Sequence, residues 1–151
     1  MIRTERYGAL AARLALASIF VVAGFGKLAA PEATGAYLAT KGLPVPVVLA
    51  VFAGVVEFVG GLLLITGYRT RLAGLTLAAF LIPTTLLFHT SLGLPGLEAQ
   101  MQQMQLLKNL AIGGGLLALA TYGAGALSFD ARFPRARSDE SFAPIADPVV
   151  A

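Results

Sequence analysis

The sequence predicts an all-α membrane protein built as a four-helix transmembrane bundle, and three observations carry the prediction. The chain is 57% hydrophobic and only 13% charged over 151 residues, with a mean hydropathy of +0.79, whereas soluble domains hold roughly 25% charged residues. Long stretches carry no charge at all, and the charges gather at their ends. Four stretches with at most one charged residue each reach the ~20 residues needed to cross about 30 Å of hydrocarbon.

The first span runs from Gly8 to Gly26, with Arg13 as its internal charge. Arg3 and Arg6 ahead of an apolar run resemble a cleavable leader. The run is long for a leader, however, and no small-x-small cleavage site precedes Lys27, so the segment is read as a retained helix. The second span, Pro46 to Tyr68, contains Glu57. The third, Leu72 to about Leu92, holds Pro83 and, near its end, His89. The fourth, about Met104 to Gly123, has Lys108 and Asn109 in its first turns. Between the first two spans, Pro31 suits a helix start and Gly42 with Pro44 a stop, which predicts a short interfacial helix over Glu32–Lys41. Gly93, Pro95 and Gly96 break the other outer connection. These spans make one transmembrane domain over residues 1–130. The polar, aperiodic stretch 131–151 is expected to be a disordered cytoplasmic tail.

Orientation follows from the basic residues. Four spans place Arg3, Arg6, Arg13, Arg69, Arg71, Arg132, Arg135 and Arg137 on one side and Lys27, Lys41 and Lys108 on the other. Because Lys and Arg accumulate in cytoplasmic loops, both termini are expected inside. The same rule accounts for the net charge of +3, so no nucleic acid partner is implied.

Several chemistries are excluded. The chain has no cysteine, hence no disulfide, iron–sulfur cluster, thiolate zinc site or CxxC dithiol of its own. A single histidine cannot supply two haem ligands, and no nucleotide fingerprint or metal-binding motif appears. What stands out is Glu57, which lies eleven residues from either end of its span, or about 16 Å from each. A carboxylate there must be neutral, paired or facing a wet cavity. Small residues around it (Ala53, Gly60, Gly61) turn it toward the bundle. Ranked by depth, its expected partners are Lys108, then Lys27, then Arg13, which can instead extend toward the inner phosphates.

An ordered set of short motifs resembles the DoxX family of small four-helix membrane proteins. The set comprises Arg13 with A-G-F-G-K-L ending at Leu28, G-L-P at Gly42–Pro44, E-F-V-G-G at Glu57–Gly61 and G-Y-R-T-R at Gly67–Arg71. It continues with L-L-F-H at Leu86–His89, K-N-L at Lys108–Leu110, Gly113–Gly115 and a G-A-G-A-L-S-F-D close at Asp130. The resemblance implies a bundle in the bacterial cytoplasmic (inner) membrane. It also implies an association with redox chemistry, since some family members look like the small membrane subunit of a quinone-linked oxidoreductase and others are tied to quinone or oxidative stress. A fold does not carry a function by itself.

With that resemblance in view, Lys27, Glu57, His89, Lys108 and Asn109 are the expected ligand-binding residues of an outward-facing quinone pocket. Lys, His and Asn donate hydrogen bonds to quinone carbonyls, and Glu57 and His89 are the groups able to exchange protons with reduced hydroxyls. Plainer readings stand beside each assignment. A buried Glu–Lys pair can serve only to fix helix register, a helix-end histidine can be interfacial, and Arg69 with Arg71 can be topology signals. Two other functions compete: a proton-coupled permease, which with four helices would have to be a homo-oligomer, and a scaffold that recruits soluble redox enzymes through Arg132–Arg137 and Asp139–Glu140.

Overall fold

Prolines and glycines set the helix ends in the structure, a computed structural model that describes residues 3–89 and 93–133, with side chains from residue 6 onward. The helices are α1 (Arg3–Ala29), α2 (Pro31–Thr40), α3 (Pro46–Thr66), α4 (Thr70–Phe88), α5 (Gly96–Tyr122) and the single turn α6 (Phe129–Arg132). α1, α3, α4 and α5 are each long and apolar enough to span a bilayer. Pro31 and Pro46 open α2 and α3, where the missing proline N–H costs no helical bond. α3 stops at Gly67, in the left-handed region at φ +68°. There the Gly67 N–H donates to Leu64 O at 3.2 Å and the Tyr68 N–H to Leu63 O at 3.1 Å, the paired bonds of a glycine-terminated helix.

Several boundaries differ from the expectation, among them α1, which begins at Arg3 rather than Gly8. α4 ends at Phe88 rather than near Leu92, so His89 caps the helix with its N–H on Thr85 O at 2.9 Å. α5 starts at Gly96, eight residues before Met104. The segment Leu97–Gln103 is polar but made of good helix formers, so hydropathy marks where the bilayer lies and misses where the helix begins. α6 stands where the tail was expected to start. The predicted tail from residue 134 onward, with Arg135, Arg137, Asp139 and Glu140, lies outside the described residues.

The four long helices share one core of Ala17, Phe20, Leu64, Ala73, Leu77, Ile112, Leu116 and Leu119. Outward residues such as Val22 (72% exposed) and Leu110 (70% exposed) are apolar, as a lipid-facing surface requires. Among helices already surrounded by hydrocarbon, association rests on close packing, which small residues permit. The tightest seam joins α1 and α3. A Cβ at Gly24 would strike the backbone of Phe58 and Gly54, and one at Gly61 would meet Val21 and Ala17 O. Since Gly24 opposes Gly54–Phe58 while Ala17–Val21 oppose Gly61, the two helices run antiparallel. α4 packs on α3 through Leu77 against Gly60 and on α5 through Gly74 against Leu116 O. Leu16 on Gly115 closes the ring from α1 to α5, and α2 lies over the start of α3 with Gly35 against Val47.

This seam makes a clean prediction. Gly24→Ala forces the two backbones apart and is expected to cost about 1–3 kcal/mol of stability. Gly8→Ala, on the same helix with nothing within 4 Å of its Cβ position, should be neutral or gain up to about 1 kcal/mol in helix propensity. Unfolding of both variants in detergent checks the contrast.

Candidate functional site

Apart from the contacts of Arg13, two stations of polar side chains join neighbouring spans among the described residues. At the first, Lys27 Nζ donates to Glu57 Oε2 at 2.6 Å between α1 and α3, with the side chains 28% and 12% exposed. Lys27 continues the stripe of α1 that faces the bundle, formed by Arg13, Ala17, Phe20 and Gly24 at spacings of four, three and four residues. Glu57 sits three residues after Gly54 and four before Gly61, on the α3 face against α1. In any α-helix the Cα–Cβ bond tilts toward the helix N-terminus. On antiparallel neighbours these tilts converge, so the lysine leans inward and the glutamate outward until they meet. The rings of Phe25 and Phe58, 6.4 Å apart, join the two helices beside the pair.

The expected ranking of partners is thereby corrected. Lys108 is exposed, on a helix that packs mainly against α4, and makes no ion pair among the described residues. Arg13 does not extend toward phosphates either. It is 1% exposed and donates from Nη1 to Ala124 O at 2.6 Å and from Nη2 to Leu127 O at 2.8 Å and Ile65 O at 3.4 Å. It thus ties the segment after α5 to α1. The same segment returns to α4 through Asp130, whose carboxylate accepts the N–H groups of Arg69 and Thr70, each at 2.8 Å. Those are unpaired donors at the positive end of a helix, so a carboxylate is well suited to them. One signal for the Arg13 role was present in the sequence: Arg13 and Lys27 are fourteen residues apart, two heptads along one helix face.

The second station lies between α4 and α5. Asn109 Nδ2 donates to Thr85 Oγ1 at 2.9 Å, and the threonine hydroxyl donates to Leu81 O at 2.6 Å. The other amide N–H and the amide oxygen of Asn109 have no partner among the described residues. His89 Nδ1 faces Gln102 Oε1 at 3.0 Å. Gln102 as the histidine's partner is visible only once α5 is known to begin before Met104. Thr85 and Asn109 are the polar residues in the wall of an otherwise apolar cleft of about 610 Å³, lined among others by Leu81, Ile82, Leu106 and Gly113. Neither His89 nor Lys108 lines it.

A model of the DoxX family matches residues 8–90. The chain belongs to the DoxX family. It is 35% identical over 133 residues to the inner membrane protein YqjF of Escherichia coli, which covers 86% of this chain and 95% of that one. It is 32% identical over 123 residues to the inner membrane protein YphA of the same organism, with 82% and 88% covered. With four helices able to span a bilayer, the chain is accordingly a multi-pass protein of the inner membrane. No solved structure matches it. The DoxX match takes in Arg13, Lys27, Glu57 and His89 and stops before Asn109. The first station thus lies wholly within the family's matched core, and the second is completed by α5 beyond it.

A double-mutant cycle on this DoxX protein tests the first station. Lys27→Met strands a carboxylate in hydrocarbon, and Lys27→Met/Glu57→Met removes the stranded charge. The double variant is expected to be more stable than Lys27→Met alone, with a coupling energy of roughly 1–3 kcal/mol in detergent unfolding. Lys108→Met should change stability by less than about 0.5 kcal/mol.

Proposed function

We propose that this DoxX protein is a redox-associated membrane subunit that binds a quinone or a quinone-like small molecule in the α4–α5 cleft and works with soluble redox enzymes. The observation that carries the reading is the cleft itself. It is apolar over most of its wall, opens at membrane depth and has one polar place, the Thr85–Asn109 pair. A ligand for such a cleft is an amphiphile with a small polar head and an apolar body. A quinone carbonyl accepts from the remaining Asn109 N–H, and the ring and tail lie along Leu81, Ile82 and Leu106. His89, four residues beyond Thr85 and held by Gln102, is the nearer proton-exchanging group in this reading. Glu57 is the second, with Lys27 as its counter-charge. Both termini lie in the cytoplasm in the same reading, since Arg6, Arg69, Arg71 and Arg132 cluster at one end of the bundle, as cytoplasmic loops collect basic residues.

Two measurements bear on this. Quinone co-purifying in gentle detergent should be detectable by mass spectrometry and fall at least about tenfold in Asn109→Leu, the loss expected for one hydrogen bond to a buried acceptor. Equal quinone in wild type and variant, or none in either, removes the reading. For orientation, reporter fusions at Arg132 should be active only with a cytoplasmic reporter, and a periplasmic signal there would reverse the assignment.

A further inference from the structure

At the end of the bundle far from α2, the α3–α4 turn and the segment after α5 enclose a second cleft of about 470 Å³. We infer that this cleft is a binding site for the phosphate headgroup of an anionic phospholipid, held by Arg69 and Arg71. Both arginines line it, and each is placed by a backbone feature. Arg69 occupies the left-handed region at φ +50°, and its guanidinium lies 5.9 Å from the Tyr68 ring centre. Arg71 lies beside the end of α5, where an added Cβ on Gly123 would come within 3.8 Å of its Nε.

The acid in the wall does not cancel these charges. The Asp130 carboxylate accepts the N–H groups of Arg69 and Thr70 at the start of α4, and against its single negative charge the lining carries the two positive charges of Arg69 and Arg71. A guanidinium offers a planar fork of donors that matches a phosphate. The rest of the lining selects a lipid over a free phosphate. Leu72, Phe129 and Phe133 border the arginines and are exposed, at the level where the spans give way to headgroups. Apolar side chains beside a cationic pair fit a molecule whose phosphate is attached to glycerol and acyl chains, and basic pockets at helix ends are where such headgroups bind.

The test is native mass spectrometry of the full chain in detergent, with phosphatidylglycerol or cardiolipin competing against phosphatidylethanolamine. Wild type is expected to retain the anionic lipid with about tenfold preference, and Arg69→Gln/Arg71→Gln should lose that preference. Arg6→Gln/Arg132→Gln removes two basic residues that do not line the cleft and should keep it. Thermal unfolding of each variant shows whether it remains folded, and if Arg69→Gln/Arg71→Gln does not, the single variant Arg71→Gln, expected to lose part of the preference, takes its place. The inference is overturned by equal retention of both lipid classes in wild type, by a preference that survives in the cleft variants, or by an equal loss in the control variant. Displacement of the lipid by millimolar inorganic phosphate would also overturn it, by assigning the site to a soluble anion.

Discussion

The backbone contact between α1 and α3 is the constraint that organises the molecule. Apolar area gives helices in a bilayer little reason to associate, because lipid tails solvate it equally well. Gly24, Gly54 and Gly61 replace that missing drive with backbone-to-backbone approach. The approach then fixes what the charged residues of α1 can reach. Arg13 and Lys27 lie on the same stripe as Gly24, one near each end of the seam, so docking α1 on α3 delivers both at once. At one end a lysine meets Glu57, and at the other an arginine meets three backbone carbonyls. A register shift of one residue along this seam would swing both charges toward lipid. The cost of placing them there makes the register specific as well as tight.

The arginine end has a further consequence. Carbonyls after the end of α5 have no helical partner, and burying one without a hydrogen bond costs free energy. Arg13 supplies donors for those of Ala124 and Leu127, while Asp130 supplies acceptors for the first N–H groups of α4. Gly67 sits between these two ties. Its carbonyl accepts the Asp130 N–H at 2.9 Å, and a Cβ there would run into Ser128 and the Arg13 guanidinium. The chain thereby connects its first helix, its middle turn and the segment after α5 through one compact group of polar atoms, in which the side chains of Arg13 and Asp130 satisfy orphan groups of two helix ends.

Much of this was legible in the sequence, and the reason lies in which physical signal each feature leaves. Apolar length and the proline and glycine stops gave the four spans and the short α2, because the bilayer sorts residues strongly. The burial of Glu57 followed from its depth alone. Its partner did not, because depth puts Lys108 ahead of Lys27. The choice between them turns on which helices are neighbours and on the converging Cβ tilts of an antiparallel pair. Arg13 was misread for a similar reason: a lone arginine near a membrane face suits snorkelling and burial equally well until the carbonyls of Ala124 and Leu127 are seen to lie within reach. The start of α5 was missed because Leu97–Gln103 is helical without being apolar. With it went the contact between Gln102 and His89.

Glycine serves opposite ends in the two stations. Along α1–α3 each glycine admits a neighbouring backbone, and an added methyl would collide. Along α5, Gly114 has nothing within 4 Å of its Cβ position and Gly113 only Leu81 at 3.9 Å, so these glycines hollow out a groove and draw no helix in. A groove at that depth is filled by an acyl chain whenever nothing else occupies it. The apolar walls therefore give a tailed ligand little advantage over ordinary lipid, since both present hydrocarbon to the same surface. Preference must come from the polar place in the groove, where the free N–H and amide oxygen of Asn109 gain a partner from a polar headgroup and none from an alkyl chain. In hydrocarbon that difference is the full worth of an otherwise unmade hydrogen bond, so the proposed quinone site rests on Asn109 and not on the volume of the cleft.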